Sequence, residues 1–589
     1  MSAGETAIVI DAEWGYRGGR VGWESVWVPV VLCALVIFSG REYIFLPGRD
    51  DSHLADFLSE NKGSVWVAHS VTAEMKYLLR QGMPIPDQWY DTMLAERWLT
   101  NSPRRLEVGL VKALKRRGLP HLAPLEKNEI RRKILHLDFN HGDSDETERI
   151  AEYCMQDCRA CAALFQRQRS VPENRDRLDG LMSWWPIYQL AIAKMELRGI
   201  PVDVSMYNAV IDNWPEMRGL LVGEINAAAS IMAPSGIKRS AFGKFCKTVH
   251  ISLPRVYDKA IGQMRYSIAN EALKEIEHQH PLIPKIRETQ KTLVALRNNR
   301  MVVDLGTGRH YFSVMPFGTI TGRNTPNQFI FNQSKWMRFL IVPESPNHVL
   351  VYVDYSAQEI GIAAALSRDP EMGAMYQAED PHMAFAELAG AVPVGARKDG
   401  YAEIRKKYKT VNLGVLYGLT PDGTARRLGV SVEEARGLHQ THRRLFPIFW
   451  DWSERVVVTA MNRGSIRTRA GWRSLVPPDS NPRTWANWPM QATGADIMRL
   501  TIMYMDKAGL VVLAPVHDGF LISCRRQELS DVYRRIDYAC ATAVEHVLPN
   551  FRLHWTITVH EQRFEDADGL SLWETVQRLL RESRHEWTR

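Results

Sequence analysis

The chain has 589 residues, 45% hydrophobic and 24% charged, with 74 Lys and Arg against 67 Asp and Glu for a formal charge of +7. That composition argues against a disordered or fibrous chain, the length predicts roughly three or four domains at about 150 residues each, and the basic excess tolerates a polyanionic partner without requiring one. Seven scattered cysteines do not form the dense framework of a small secreted domain and point to a reducing compartment.

In chain order, the first residues lack the basic leader and cleavage pattern of a signal peptide. The most apolar stretch, 26–38, contains Pro29 and is too short to cross a bilayer as a helix, so its β-branched residues predict buried strand and no membrane partner. Strand candidates at 7–10, 28–38 and 65–68 alternate with helical patterns up to about residue 167, which predicts an α/β domain. From about 184 to 302 the pattern is mostly helical, with a long amphipathic stretch over 271–297. Beyond it, 349–353 reads as a buried strand and 402–417 as a helix. Residues 510–524 read as a hairpin turning at His517-Asp518-Gly519, with Gly519 permitting the turn. Expected domain limits are 1–175, 176–310, 311–370, 371–490 and 491–589.

Two groups of acids carry the chemistry. Asp11 and Glu13 alternate onto one side of the first strand, Tyr153 and Asp157 share one face of a helix, and Glu74 lies between the pairs in sequence. Such a set of carboxylates can hold two metal ions that activate a water against a phosphodiester, with Tyr153 orienting the water. Cys154, Cys158 and Cys161 would line one side of the same helix; no fourth ligand of matching spacing supports zinc, so they are expected as buried small side chains. Ten Lys or Arg between 104 and 133, including Lys115-Arg116-Arg117 and Arg131-Arg132-Lys133, are expected as a solvated helix face, with phosphate contact as the second reading.

The second group is Asp354, delivered by a strand to the start of a polar segment, and Asp518, at the tip of the hairpin. If the strands are neighbours, the acids converge and can bind two Mg²⁺ ions for an in-line phosphoryl displacement. Between them, Arg405, Lys409, Leu413 and Tyr417 step by four along a helix, so two cations, an apolar residue and an aromatic residue form one stripe suited to a nucleoside triphosphate. Taken singly, each acid reads equally as an ordinary strand-end residue; their order along the chain is what singles them out.

That order resembles known families. The N-terminal acids are similar to the proofreading 3′→5′ exonucleases of the DEDD superfamily, of the subtype with Tyr in its last motif. The resemblance implies Asp11, Glu13 and Asp157 as metal ligands, with Glu74 standing where Asp is usual. From Asp11 to about Phe564 the motifs resemble family A DNA polymerases, the Klenow-like bacterial DNA polymerase I and phage group. This implies an α/β, ribonuclease H-like exonuclease domain (1–175) followed by an α+β right hand: thumb (176–310), palm (311–370 and 491–589) and fingers (371–490).

It further implies Asp354 and Asp518 as catalytic ligands of Mg²⁺, two ions per active site, with Mn²⁺ as substitute. Glu359 resembles the steric gate against a ribose 2′-hydroxyl. Arg405, Lys409, Leu413, Tyr417 and His382 would meet the incoming deoxynucleoside triphosphate, while Arg323, Arg483, Asn487, Gln491 and His517 would meet primer-template DNA. The implied place of work is the cytoplasm of a bacterial or phage-infected cell; no accessory partner is named by any motif. Gly519 stands where the family usually has Glu, and Leu413 where it usually has Phe or Tyr, which leaves nucleotide preference, modified bases included, open. No room precedes Asp11 for a 5′-nuclease domain, so flap removal is not expected. The alternatives are a polymerase with a weakened exonuclease and a single-subunit RNA polymerase.

Overall fold

The computed structural model describes residues 7–16, 27–37, 39–101, 103, 106–121, 144–253, 255–258, 262–296, 301 and 303–586. The chain forms two compact units. One takes Met1–Arg198, Ser313–Asn327 and Val351–Thr558, the other Gly199–Phe312, Gln328–Leu350 and Val559–Arg589.

The first unit opens with a sheet of β1 (Ala7–Tyr16), β2 (Trp27–Val36), β3 (Arg41–Phe45), β4 (Val65–Ala68) and β5 (Gln88–Asp91), in the order β3-β2-β1-β4-β5. β2 and β3 add antiparallel on one side of β1, and β4 and β5 add parallel on the other. Strand alternation sends Ala7 and Val9 into one apolar core and Ile8, Ile10 and Ala12 into another, so β1 is covered on both faces. Pro29 pairs with Trp14 at the register shift that follows Glu13, the kind of irregularity where proline is found in sheets. β3 and β5 escape the sequence pattern because they are short and mixed in polarity.

Around this sheet lie α1 (Asp51–Glu60), α2 (Thr72–Arg80), α3 (Thr92–Thr100), α4 (Leu110–Arg117), α5 (Ser144–Arg169) and α6 (Trp185–Arg198). α5 turns its three cysteines into the core as unpaired thiols, as expected. The Cys154 thiol donates to the Asp11 carbonyl at 3.3 Å and the Cys158 thiol to the Cys33 carbonyl at 3.5 Å.

On α4, Lys112 and Lys115 are exposed, as a solvated face requires, but Arg116 and Arg117 depart from that reading. Arg116 and Arg117 clamp the fully buried Glu96 carboxylate of α3, at 2.7 and 2.9 Å, and Gln168 adds a third donor at 3.2 Å. Arg131, Arg132 and Lys133 lie outside the described residues. Breaking a buried pair from one side leaves charge without compensation. Glu96→Ala is therefore expected to cost about 3 to 5 kcal/mol, read as a lowered urea midpoint.

The same unit continues with a second sheet and its helices. The elements are β6 (His348–Tyr355), α7 (Gln358–Ser367), α8 (Pro381–Leu388), α9 (Ala402–Leu416), α10 (Pro447–Arg463), β7 (Ser465–Arg467), β8 (Arg473–Leu475), α11 (Pro482–Lys507), β9 (Val511–Val516), β10 (Gly519–Arg525), α12 (Leu529–Val547) and β11 (Trp555–His560). The sheet order is β9-β10-β6-β11, which makes β6 and the hairpin neighbours.

The second unit is largely helical; among its described residues are two short two-stranded ribbons, a small three-stranded sheet and a core of Val222, Phe242, Leu273 and Ile286. The amphipathic stretch expected over 271–297 is broken: a helix at Asn270–Glu275, a 3-10 turn at Glu277–Gln279, then a helix at Leu282–Leu296. His280-Pro281 supplies the break, because proline starts a helix more readily than it continues one. Arg297 lies outside the described residues. Among the described residues no helix is long and apolar enough to cross a membrane.

Candidate functional site

β6 carries Val349, Leu350, Val351 and Val353 fully buried and ends by presenting Asp354. The β9–β10 hairpin has a two-residue loop, His517-Asp518, with Val516 facing Gly519. The Tyr355 N–H donates to the Asp518 carbonyl at 3.0 Å, so the two acids sit at adjoining strand ends. Burial, and then the Asp518 charge, push the Asp354 carboxyl up to about 6, while a hydrogen bond from the Tyr352 hydroxyl at 3.3 Å works the other way.

The turn is made differently from the sequence expectation. The residue with positive φ is His517, at 51°, and Gly519 is not among the glycines with positive φ. Gly519 is needed for space instead. A Cβ there would lie 2.4 Å from the Val353 carbonyl oxygen and 3.0 Å from both Asp354 Oδ1 and the Tyr352 hydroxyl.

Glu359, in the first turn of α7 and 7% exposed, accepts from Arg323 Nη2 at 3.0 Å and from the Tyr417 hydroxyl at 2.5 Å. Arg323 also approaches Asp518 Oδ1 at 3.7 Å. Burial raises the Glu359 carboxyl and Tyr417 and Arg323 oppose it; burial and Glu359 raise the Tyr417 hydroxyl. Four residues far apart in sequence thus form one network.

On α9, Lys409 is exposed, Leu413 half-buried and Tyr417, at the helix C-cap, 51% exposed. Arg405 Nε donates to Asp380, whose other oxygen caps α8 through the His382 and Met383 N–H groups. Burial opposes the ionisation of Asp380, but Arg405 and those N–H groups outweigh it and lower its carboxyl. His382, 5% exposed, is pushed down to about 4 by burial and is neutral at pH 7. Along α11, Arg483 is exposed, Asn487 buried and Gln491 half-buried. Neither amide atom of Asn487 has a hydrogen-bond partner among the described residues.

The loop bearing Arg323 is anchored by its Ile320 carbonyl, which accepts from Asn101 Nδ2 at 2.9 Å and from the Trp472 and Trp488 indole N–H groups at 3.0 Å each. Gly322, with φ of 76°, leaves no room for a side chain against Trp472. Asn101, at the end of α3, also donates to the Arg473 carbonyl at 2.7 Å.

In the N-terminal sheet, Asp11, Glu13 and Asp157 bring one carboxylate oxygen each within 4.8 Å of one another, a donor set of hard oxygens suited to divalent cations. Tyr153 lies one turn before Asp157 on α5 and is 2% exposed. Glu74 does not join that triad. It is 3% exposed on α2, and burial pushes its carboxyl up to about 8, with Asp91 adding to the shift. Because the folded value lies above the unfolded one, Glu74 favours the fold below the ordinary carboxylate range, and this is lost as pH rises to about 8. In EDTA, Glu74→Gln is expected to flatten the fall in Tm over that window. At pH 9 it should exceed the parent by at most about 5 kcal/mol.

The sequence profile of DNA polymerase family A matches residues 232–559. This chain belongs to that family. It is 24% identical over 539 residues to DNA polymerase I of Aquifex aeolicus, a match spanning 85% of this chain and 88% of that one. It is 26% identical over 395 residues to DNA polymerase I of Streptococcus pneumoniae and 25% over 375 to the thermostable DNA polymerase I of Thermus aquaticus. Those two matches span 61% and 58% of this chain but only 43% of each relative. The fold is shared with the POL domain of Pol1 from M. smegmatis, a complex with DNA primer-template and dNTP, at a TM-score of 0.73, 20% identity and 95% coverage of both chains.

The sequence motifs did not single out two polar residues close to Asp354 and Glu359 along the chain. Tyr352 could have been found, since alternation puts it on the same side of β6 as Asp354. Gln358, 2% exposed with both amide atoms unpartnered among the described residues, could not, because nothing local marks it.

Proposed function

We propose that this family A member is a template-directed DNA polymerase that adds deoxynucleotides to a primer 3′-hydroxyl, with a 3′→5′ proofreading exonuclease in its N-terminal domain. The observation that carries the first activity is the adjacency of Asp354 and Asp518 beside the Arg323–Glu359–Tyr417 network. Two divalent cations held by these acids, Mg²⁺ or Mn²⁺, would supply activation of the 3′-hydroxyl and stabilisation of the leaving pyrophosphate.

The chain's own groups do the rest. Asp380 aims Arg405, and with Lys409 and the neutral His382 it forms the triphosphate-binding end of the stripe, while Leu413 and Tyr417 take the sugar and base. Glu359, fixed by two donors, closes the space a ribose 2′-hydroxyl would need, which favours a DNA over an RNA polymerase. Arg323, Arg483, Asn487, Gln491 and His517 contact primer and template; the unpartnered amide of Asn487 supports such a ligand. The limits given above for thumb, palm and fingers belong to this proposal, as does a cytoplasmic setting in a bacterial or phage-infected cell.

The Asp11, Glu13 and Asp157 cluster supports the nuclease, with Tyr153 orienting the water and Glu74 as an outlying acid. Primed template with four deoxynucleotides and Mg²⁺ is expected to be extended, and a labelled single strand to be shortened from its 3′ end. Asp11→Ala should stop the shortening and spare the extension. Undiminished trimming by that variant removes the proofreading claim, and a parent protein that never extends the primer removes the polymerase.

A further inference from the structure

Away from both groups of carboxylates, a hollow of about 940 Å³ opens between α3, α10 and the β7–β8 hairpin. Among the described residues five arginines line it, together with Trp98 and Trp452, and no acidic side chain does. Arg455 is neutralised by Asp451. Arg463, Arg467 and Arg469 are exposed, and their side chains make no ion pair among the described residues. Gathering like charges around one concavity costs free energy unless an anion offsets it, and guanidinium forks match phosphate oxygens. The volume is that of a small-molecule pocket, enough for a few nucleotides of one strand and not for a duplex. The half-buried ring of Trp452 offers a face on which a base can stack.

We propose that this hollow binds the phosphate chain of a short single-stranded stretch of DNA. The inference rests on the polymerase reading. The strand can come from two sources, unpaired template ahead of the primer terminus or an unpaired primer 3′ end.

Fluorescence anisotropy of the full chain on three DNAs separates them: a duplex with one unpaired template nucleotide, one with a long 5′ template overhang and one with an unpaired 3′ end. The parent is expected to bind one of the last two more tightly than the first. In the R463A/R467A/R469A variant that advantage should vanish, and the slope of log affinity against log salt on that DNA should fall by about 2, at roughly 0.7 per lost single-strand phosphate contact. Affinity for the first duplex, and incorporation of one nucleotide on it, should stay at the parent's level. The corresponding triple Lys variant should recover much of the advantage. Unchanged affinity and salt slope on both single-strand DNAs overturn the proposal, as does an equal loss on all three. A parent that binds but incorporates nothing on the first duplex counts against the polymerase reading and leaves the anisotropy comparison standing.

Discussion

Asp518→Asn is expected to slow primer extension by roughly a thousandfold, since several kcal/mol of charge stabilisation is withdrawn and each 1.4 kcal/mol is tenfold. Single-turnover incorporation measures this directly. The same loss is expected from Asp354→Asn, and the double variant should be little slower than either single one, because two acids that hold one pair of cations, as proposed, would act as a unit. Primer-template affinity should hardly change in these variants, since Arg323, Arg483 and Gln491 are untouched. A thousandfold loss of DNA binding in place of the rate loss would recast the pair as structural. Full-speed extension by either variant would remove both acids from the chemistry.

Gly519→Ala is expected to have the second largest effect. The added methyl would sit 2.4 Å from the Val353 carbonyl oxygen, a backbone atom that cannot swing aside, so β10 must move away from β6 and carry Asp518 from Asp354. A displacement approaching 1 Å at the reacting centre costs about a hundredfold in rate, whereas overpacking costs only about 1 to 3 kcal/mol of stability. The variant should therefore fold and incorporate slowly. Adding Tyr352→Phe separates causes: it removes the hydroxyl 3.0 Å from the new Cβ but leaves the carbonyl, so the rate should stay low. Recovery in the double variant would assign the conflict to the phenol instead.

Much of this fold is written in local pattern. Val349, Leu350, Val351 and Val353 announce a strand covered on both faces, and the β1 alternation puts Asp11 and Glu13 on one side before any tertiary contact is considered. What escaped depends on partners distant in sequence. Arg116 and Arg117 look like a solvated pair because Glu96, which they enclose, precedes them by about one helix and a loop. Gly519 looks like a turn residue because glycine commonly is one; its real constraint is the Val353 carbonyl of a strand more than a hundred and fifty positions earlier. The tie from Asp380 to Arg405 likewise joins two helices that no periodicity relates. Gln358 is silent in sequence, and Asn487 is named only through the resemblance, since an unpartnered amide is a property of surroundings.

The Ile320 carbonyl has two lone pairs and three donors, one from Asn101 at the end of α3 and two from tryptophans near the Arg323 loop. Trp185 of α6 packs into the same cluster against Phe317, the two rings tilted at 45°. Removing the chain up to the end of α5 would expose those rings and release the Asn101 anchor together. Single substitutions at Asp11, Glu13 or Asp157 keep that framework in place, whereas excision does not.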